Sequence, residues 1–214
     1  MTMTEIDKLF TQGFYFGKIK DLVLDYSEFL NKAHEVRELV RDKSKWCFQN
    51  VTNDESLPHL IPAQEKEKRL KIIKDRNLTV SLREYQLISD PQYQHFYDYF
   101  DNVAKKLVLK MYPTLNDNNI LLGGFIQLFE NDDYLDTHTD GYMNGYCTIV
   151  IYLSDIQNYN GSGKLVIEDF DETCDPIIGN YSVFEMTKND VRHRIDKVTE
   201  NFQRLSYLIH VRKN

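Results

Sequence analysis

From Ile120 onward the chain reads as short apolar runs separated by Gly-, Asn- and Asp-rich turns, at 121–129, 134–140, 146–153, 163–168, 181–186, 190–198 and 204–211. Runs of this length, rich in β-branched and aromatic residues and bounded by turn residues, are strands. Many short strands at such spacing, with no internal repeat, form a sandwich or barrel. The second half is therefore a β structure, and the first half must be whatever supports it.

The first half has a different periodicity. Apolar residues at Tyr26, Phe29, Leu30, Ala33, Val36, Leu39 and Val40 step by three and four, predicting an amphipathic helix from Tyr26 to about Trp46. Residues 51–63 hold Pro58 and Pro62 and read as a loop, and 65–76 form a charge run of alternating sign that reads as a solvated helix face. Leu78–Ile88 suits a strand. Asp90-Pro91 then starts a second helix with an apolar stripe from Phe96 to Met111, ended by Pro113. Asn116–Asn119 is a turn. Around Gly13 and Gly17, the cluster Phe10, Phe14, Tyr15 and Phe16 is compatible with a short strand or a packing arm. No linker-like stretch interrupts the chain. The expected organisation is one domain, 1–214, of α+β class, mainly β with N-terminal helices: 1–119 as helical support and 120–214 as the β core.

Composition narrows the function. A net charge of −7 and a pI of about 5.4 disfavour bulk binding to nucleic acid or an anionic membrane. Apolar residues make up 42% of the chain, enough for a sizeable core, yet no run approaches the roughly 18–20 residues of a membrane span. The N-terminus shows no basic segment followed by an apolar one. Three cysteines, Cys47, Cys147 and Cys174, are far apart and form no CxxC, so a reducing, cytoplasmic setting is expected. The oligomeric state is left open.

The chemistry concentrates at His138-Thr-Asp140. On an extended segment these two side chains share a face. The pair alone says little, since six His and about twenty Asp in such a chain produce roughly one His-x-Asp per two chains by chance. His193, in a later predicted strand, supplies a third donor. Two imidazoles and one carboxylate on one side of a metal leave the remaining positions open, the arrangement non-haem Fe(II) oxygenases use for a cosubstrate and O₂. Eleven residues on, Arg204 and Ser206 share a face of the last strand, a fork and a hydroxyl suited to a carboxylate. An Arg at the strand's exposed mouth is the competing reading. His34, His59, His95 and His210 rank behind His138 and His193 as ligands. The acidic stretch Glu130–Asp133 lacks EF-hand spacing and reads as a solvated turn.

Taken in order, His138-x-Asp140, His193 and Arg204-x-Ser206 resemble the Fe(II)/2-oxoglutarate-dependent dioxygenases, in particular their prolyl 4-hydroxylase-like branch. Thr148-Ile-Val-Ile-Tyr-Leu-Ser-Asp155 is similar to that branch's strand after the metal motif. Gly161-Ser-Gly-Lys-Leu165 is similar to its Gly-Gly-x-Leu turn, and Pro176-Ile-Ile-Gly-Asn-Tyr-Ser-Val-Phe184 to its Pro-x-x-Gly segment. The resemblance covers about 120–212 and implies a double-stranded β-helix, or jelly roll. It implies His138, Asp140 and His193 as iron ligands, with Arg204, helped by Ser206, on the distal carboxylate of 2-oxoglutarate. Tyr152 matches a tyrosine that in some relatives bonds the same carboxylate; a plain core tyrosine stands beside that reading. The implied cofactors are Fe(II), 2-oxoglutarate and O₂. The implied reaction is hydroxylation of an unactivated C–H bond, with 2-oxoglutarate converted to succinate and CO₂. The family's halogenases lack the carboxylate that Asp140 provides. Two features depart from the family: Phe129 stands near where many relatives have a tyrosine, and Tyr134 lies four residues before His138 instead of three.

Two other readings remain: a cupin-like module binding a carboxylate or sugar without catalysis, and a His₂Asp divalent-metal hydrolase. The substrate class stays at amino acid, peptidyl side chain or small metabolite. Its contacts are expected from 130–137, 141–146, 155–162 and the N-terminal half.

Overall fold

The structure, a computed structural model, describes residues 3–116, 119–140, 145–186 and 191–214. Most of the 141–146 segment expected to face substrate lies outside the described residues, as do 117–118 of the predicted turn and residue 190. Four α-helices run Met3–Gln12 (α1), Tyr26–Leu39 (α2), Lys66–Asp75 (α3) and Gln94–Met111 (α4). Twelve strands are Phe14–Lys18 (β1), Trp46–Thr52 (β2), Leu60–Pro62 (β3), Val80–Leu87 (β4), Ile120–Phe129 (β5), Tyr134–His138 (β6), Gly145–Tyr152 (β7), Leu165–Ile167 (β8), Glu172–Cys174 (β9), Asn180–Glu185 (β10), His193–Ile195 (β11) and Arg204–Lys213 (β12).

The strands follow the order β1-β10-β7-β12-β5-β4-β6-β11-β8-β9, with β2 and β3 extending from β4, and the named pairings are antiparallel. β12 is the spine, paired with β5 from Arg204 to Lys213 and with β7 from Ser206 to Arg212. The short strands β6, β11, β8 and β9 form a second layer. It is hinged to the long one where β4 meets β6, at Leu82↔Leu135 and Arg83↔Tyr134. Tyr134 strengthens that seam, its hydroxyl donating to the Val80 carbonyl at 2.8 Å, which accounts for its position outside the site. The expected jelly-roll β core is thus present, a nearly closed antiparallel sheet.

Helices cover the outer face of the long layer. Asp25 caps α2 by accepting from the Glu28 N–H, and Phe29, Ala33 and Val36 are buried at helical spacing. Asp90 caps the turn that leads into α4, with Pro91 in the first turn as the sequence predicts. Phe100, Val103, Leu107 and Val108 of α4 pack with Ile126, Ile149 and Tyr207 of the sheet in one core cluster. The Tyr207 hydroxyl also donates to Asp101 of α4 at 2.8 Å. A second cluster fills the space between the layers, with Phe129, Val150, Tyr152, Leu165, Ile167, Phe184 and Ile195. Among the described residues no helix is long and apolar enough to cross a membrane. The three cysteines are free, and Cys147 is buried within β7.

Parts of the chain depart from their reading, and one choice left open is resolved. The helix from Tyr26 stops at Leu39, and Trp46 opens β2, so the predicted loop at 51–63 contains the end of β2 and all of β3. Residues 14–18, open between strand and arm, form β1 and pair with β10. The Glu130–Asp133 turn is not solvated throughout. Asp133 is fully buried, accepts from Lys66 at 3.1 and 3.3 Å and from the Glu130 N–H at 3.0 Å, and has Arg83 at 3.7 Å. Lys66 and the buried Arg69 are therefore not part of a purely solvated helix face, as the charge run suggested. Removing one member of a buried ion pair strands the other in low dielectric. Asp133→Ala is accordingly expected to lower unfolding free energy by about 3 kcal/mol, read from the urea midpoint at unchanged m.

Candidate metal centre and carboxylate pocket

β6 and β11 lie side by side with His138 opposite His193, so the strand ends bring two imidazoles together from residues far apart in the chain. Their ring centroids are 4.2 Å apart. Asp140, two residues past His138, sets one carboxylate oxygen 3.6 Å from His138 Nε2 and the other 3.9 Å from His193 Nε2. One ligand atom from each of the three residues lies within 4.8 Å of the others. The three-residue set read from the sequence converges on one point.

The tautomers suit a metal. His138 Nδ1 meets the Asp136 carbonyl and His193 Nδ1 the Val191 carbonyl, each at 3.0 Å. A carbonyl only accepts, so Nδ1 carries the proton in the neutral ring and Nε2 turns its lone pair to the shared point. His193 also stacks on Phe184 at 4.1 Å, which fixes its ring plane. Burial lowers the His193 pKa to about 4, so this imidazole stays neutral. Burial alone would raise the Asp140 carboxyl, but hydrogen bonding from His138, the nearby His193 and Thr148 bring it to about 2. Burial opposes protonation of His138, yet the adjacent Asp140 carboxylate outweighs it and raises the imidazole. Two imidazole nitrogens and a carboxylate oxygen on one side are the donors a divalent transition metal takes. A proton competes with the metal at His138, whose pKa is raised, so metal affinity is expected to be weaker at about pH 6 than at about pH 8, as measured by Mn(II) titration. Affinity independent of pH over that range would contradict the assignment of His138 Nε2 as a donor.

Across the barrel interior lies Arg204. It is 1% exposed, which rules out the exposed-mouth reading. Its Nε donates to the Gly163 carbonyl at 3.0 Å and Nη1 to Ser206 Oγ at 3.3 Å. The guanidinium carbon sits 5.0 Å from the Phe129 ring centroid and 5.3 Å from that of Tyr152. Phe129 thus serves Arg204 through its ring. Gly163 explains the Gly-rich turn: its φ is +66°, and a Cβ there would stand 2.9 Å from Val198 Cγ2 and 3.3 Å from Arg204 Cδ. Only glycine lets that carbonyl reach the guanidinium. Tyr152 is fully buried in the core, as its plain reading has it, and its ring faces Arg204, with its hydroxyl 3.1 Å from Ser182 Oγ.

Sequence reasoning assigned no role to Thr148, Gln127 or Glu84, and it ranked His210 only as a weak ligand candidate. Thr148 Oγ1 is 3.2 Å from Nδ1 of His210, and Thr148 also bonds Asp140. His210 is therefore beside the candidate metal centre, though outside its three-residue donor set. Gln127 and Glu84 are buried on the inner face next to Ser206. The available signal was a polar residue inside an apolar strand, which has to be satisfied somewhere. Where β4 and β5 part, beyond Gln86↔Gln127, a cleft of about 570 Å³ opens, with Cys47, Gln86, Gly123 and Phe125 among its lining.

No family model matches the sequence, and no curated protein matches it. Solved structures do. A prolyl-4-hydroxylase from Pseudomonas putida superposes with a TM-score of 0.66 at 14% identity, covering 99% of this chain and 98% of that one. A prolyl hydroxylase from Trichoplax adhaerens, in complex with a hypoxia inducible factor oxygen degradation domain peptide fragment, gives 0.60 at 15% identity over 98% and 86%. HygX from Streptomyces hygroscopicus, with nickel and 2-oxoglutarate bound, gives 0.59 at 11% identity over 99% and 87%. The fold is the one these oxygenase structures share, over the whole length of the chain.

Proposed function

We propose that this chain is an Fe(II)- and 2-oxoglutarate-dependent oxygenase that hydroxylates an unactivated C–H bond of an amino acid, a peptidyl side chain or a small metabolite. One observation carries the reading: a His₂Asp donor set and a buried Arg that forms no salt bridge among the described residues share one barrel interior. A hydrolase would use the metal ligands and leave Arg204 without a purpose. A passive carboxylate-binding module would leave the aligned Nε2 atoms without one.

In this reading His138, Asp140 and His193 hold Fe(II), and Arg204 holds the distal carboxylate of 2-oxoglutarate in its fork. When bound, iron, 2-oxoglutarate and O₂ supply oxidative decarboxylation to succinate and CO₂, coupled to insertion of one oxygen atom into the substrate. The protein's part is positional. The Asp136 and Val191 carbonyls keep both imidazoles pointed inward, and Phe184 holds the His193 ring. Phe129, Val150, Leu165 and Ile167 wall the cosubstrate side with apolar surface and keep water from it. Thr148 and His210 adjoin Asp140, whereas the β4/β5 cleft is lined by Tyr97 and Asp101 of α4 and by Tyr207 on the helix-covered face. The peptide bound to the Trichoplax adhaerens neighbour supports the peptidyl member of the substrate class, and the nickel and 2-oxoglutarate in HygX support the pairing of metal and cosubstrate.

The test is succinate release from 2-oxoglutarate by the Fe(II)-loaded protein in air, screened against free amino acids and Pro-containing peptides. The expected result is Fe(II)-dependent succinate whose yield rises with the true substrate. A protein that forms no succinate but binds a sugar or peptide would overturn the reading.

A further inference from the structure

A chain of buried hydrogen bonds crosses the barrel from Arg204 to β2. Arg204 Nη1 donates to Ser206 Oγ at 3.3 Å, Ser206 to Gln127 Oε1 at 3.3 Å, and Gln127 Nε2 to Glu84 Oε2 at 2.8 Å. From the other side Gln86 Nε2 donates to Glu84 Oε1 at 2.9 Å and also to Gln49 Oε1. Strand register builds this chain, since Gln127 is opposite both Ser206 and Gln86, and Glu84 is opposite Gln49. Arg204, Ser206 and Glu84 are each at most 1% exposed. The direction of each bond follows from Glu84. An ionised carboxylate only accepts, so Gln127 turns its NH₂ to Glu84 and its oxygen to Ser206. The single Ser206 proton is then committed to Gln127 and cannot reach a bound carboxylate.

We propose that Glu84 is the resident counter-charge of Arg204 and takes up a proton when a dicarboxylate's distal carboxylate binds at Arg204, so that Glu84 sets the affinity of the cosubstrate pocket. The proposal rests on the reading of Arg204 as the 2-oxoglutarate residue. Its basis is charge balance in a buried space. Fe(II) with Asp140 carries one positive charge, Arg204 a second and ionised Glu84 one negative. Dianionic 2-oxoglutarate would leave the interior with one uncompensated negative charge, which a low-dielectric core resists. One proton on Glu84 restores neutrality. The proton also re-sorts the chain: a Glu84 hydroxyl donates to Gln127 Oε1, the amide turns over, its NH₂ donates to Ser206 Oγ, and the Ser206 O–H is released to the incoming carboxylate.

The groups facing Glu84 allow this. Burial pushes its carboxyl up to about 7; donation from Gln86, the Arg204 charge and donation from Gln127 hold it down, and Asp133 pushes it up. Pairing Arg204 with an external carboxylate weakens its restraint on Glu84. From β2 the facing group is the neutral Gln49, from β5 Gln127, and from β12 Arg204 and Ser206. Asp133 is itself paired with Lys66 and Arg83. Beside Arg204, burial raises the Cys174 thiol to about 12 and the Tyr152 hydroxyl still higher, so both already carry their protons and cannot take up another.

The test is anaerobic calorimetric titration of 2-oxoglutarate into the Fe(II)-loaded protein, in two buffers of different ionisation enthalpy, from pH 7 to pH 8.5. Metal loading keeps His138 and His193 out of the proton count. The expected result is net proton uptake on binding, with Kd rising toward tenfold per pH unit above about pH 7, because the bound state holds more protons. Glu84→Gln should show no uptake and a pH-independent Kd over the same range. Infrared difference spectra of the wild type should gain a protonated-carboxyl C=O band on binding, which serves if the variant does not fold. Binding without proton uptake, uptake that persists in Glu84→Gln, or absence of the band would overturn the role of Glu84 and leave the cosubstrate reading standing. Absence of any 2-oxoglutarate binding would overturn both.

Discussion

In an Asp140→Ala variant, succinate formation is expected to fall by on the order of 10³-fold or more, with secondary structure retained and stability within about 1 kcal/mol of the parent. Asp140 is the one anionic donor of the three, and its two oxygens face both imidazoles. Without it the metal is left with two neutral nitrogens, which neither offset its charge nor fix its position. Glutamate in place of Asp140 keeps the charge on a longer stem, so it should restore part of the metal affinity and little of the turnover. Full activity in Asp140→Ala would mean that the converging side chains are a coincidence of strand ends.

Replacing Arg204 separates cosubstrate from metal. Arg204→Met should leave Mn(II) affinity near its parent value and raise the KM for 2-oxoglutarate by roughly 100-fold, about the 3 kcal/mol of a buried bidentate ion pair. Arg204→Lys keeps the charge but loses the fork, so its KM should lie between. Stability gives a second readout. Among the described residues Arg204 donates to the Gly163 carbonyl and the Ser206 hydroxyl, and its charge holds down the buried Glu84 carboxyl. The Met variant leaves buried Glu84 without that counter-charge, so it should melt lower above about pH 7, where Glu84 is ionised, than below it, while failing to use 2-oxoglutarate at either pH. A variant that unfolds instead would make Arg204 a structural residue.

The β half was legible because its strands are bounded by turn residues and carry β-branched side chains, so periodicity and punctuation agree from Leu121 to Val211. β2 was not. In Trp46–Thr52 the buried positions are Trp46, Phe48 and Asn50, and an asparagine in the apolar series hides the alternation that tertiary packing enforces. β1 and β9 are short, and what makes them strands is a neighbour, β10 for one and β8 for the other. The candidate ligands were legible as an ordered set, His138, Asp140, His193, and Arg204 through the face it shares with Ser206 and the resemblance of that order to a known family. Glu84, Gln127 and Gly163 were not, because each acquires its role from register or a close approach. Gln127 meets Glu84 and Ser206 only when β4, β5 and β12 align, and Gly163 matters because Arg204 passes beneath it. The solvated reading of Asp133 failed for the same reason: Lys66 and Arg83 reach it from distant segments.

The central claim, that one barrel interior holds both Fe(II) and 2-oxoglutarate, is tested most directly by the anaerobic absorption spectrum. Adding Fe(II) and 2-oxoglutarate together should produce a weak visible charge-transfer band that neither gives alone, saturating at one 2-oxoglutarate per chain and absent in Asp140→Ala. A protein that binds the metal with no such band, and releases no succinate once air is admitted, would contradict it.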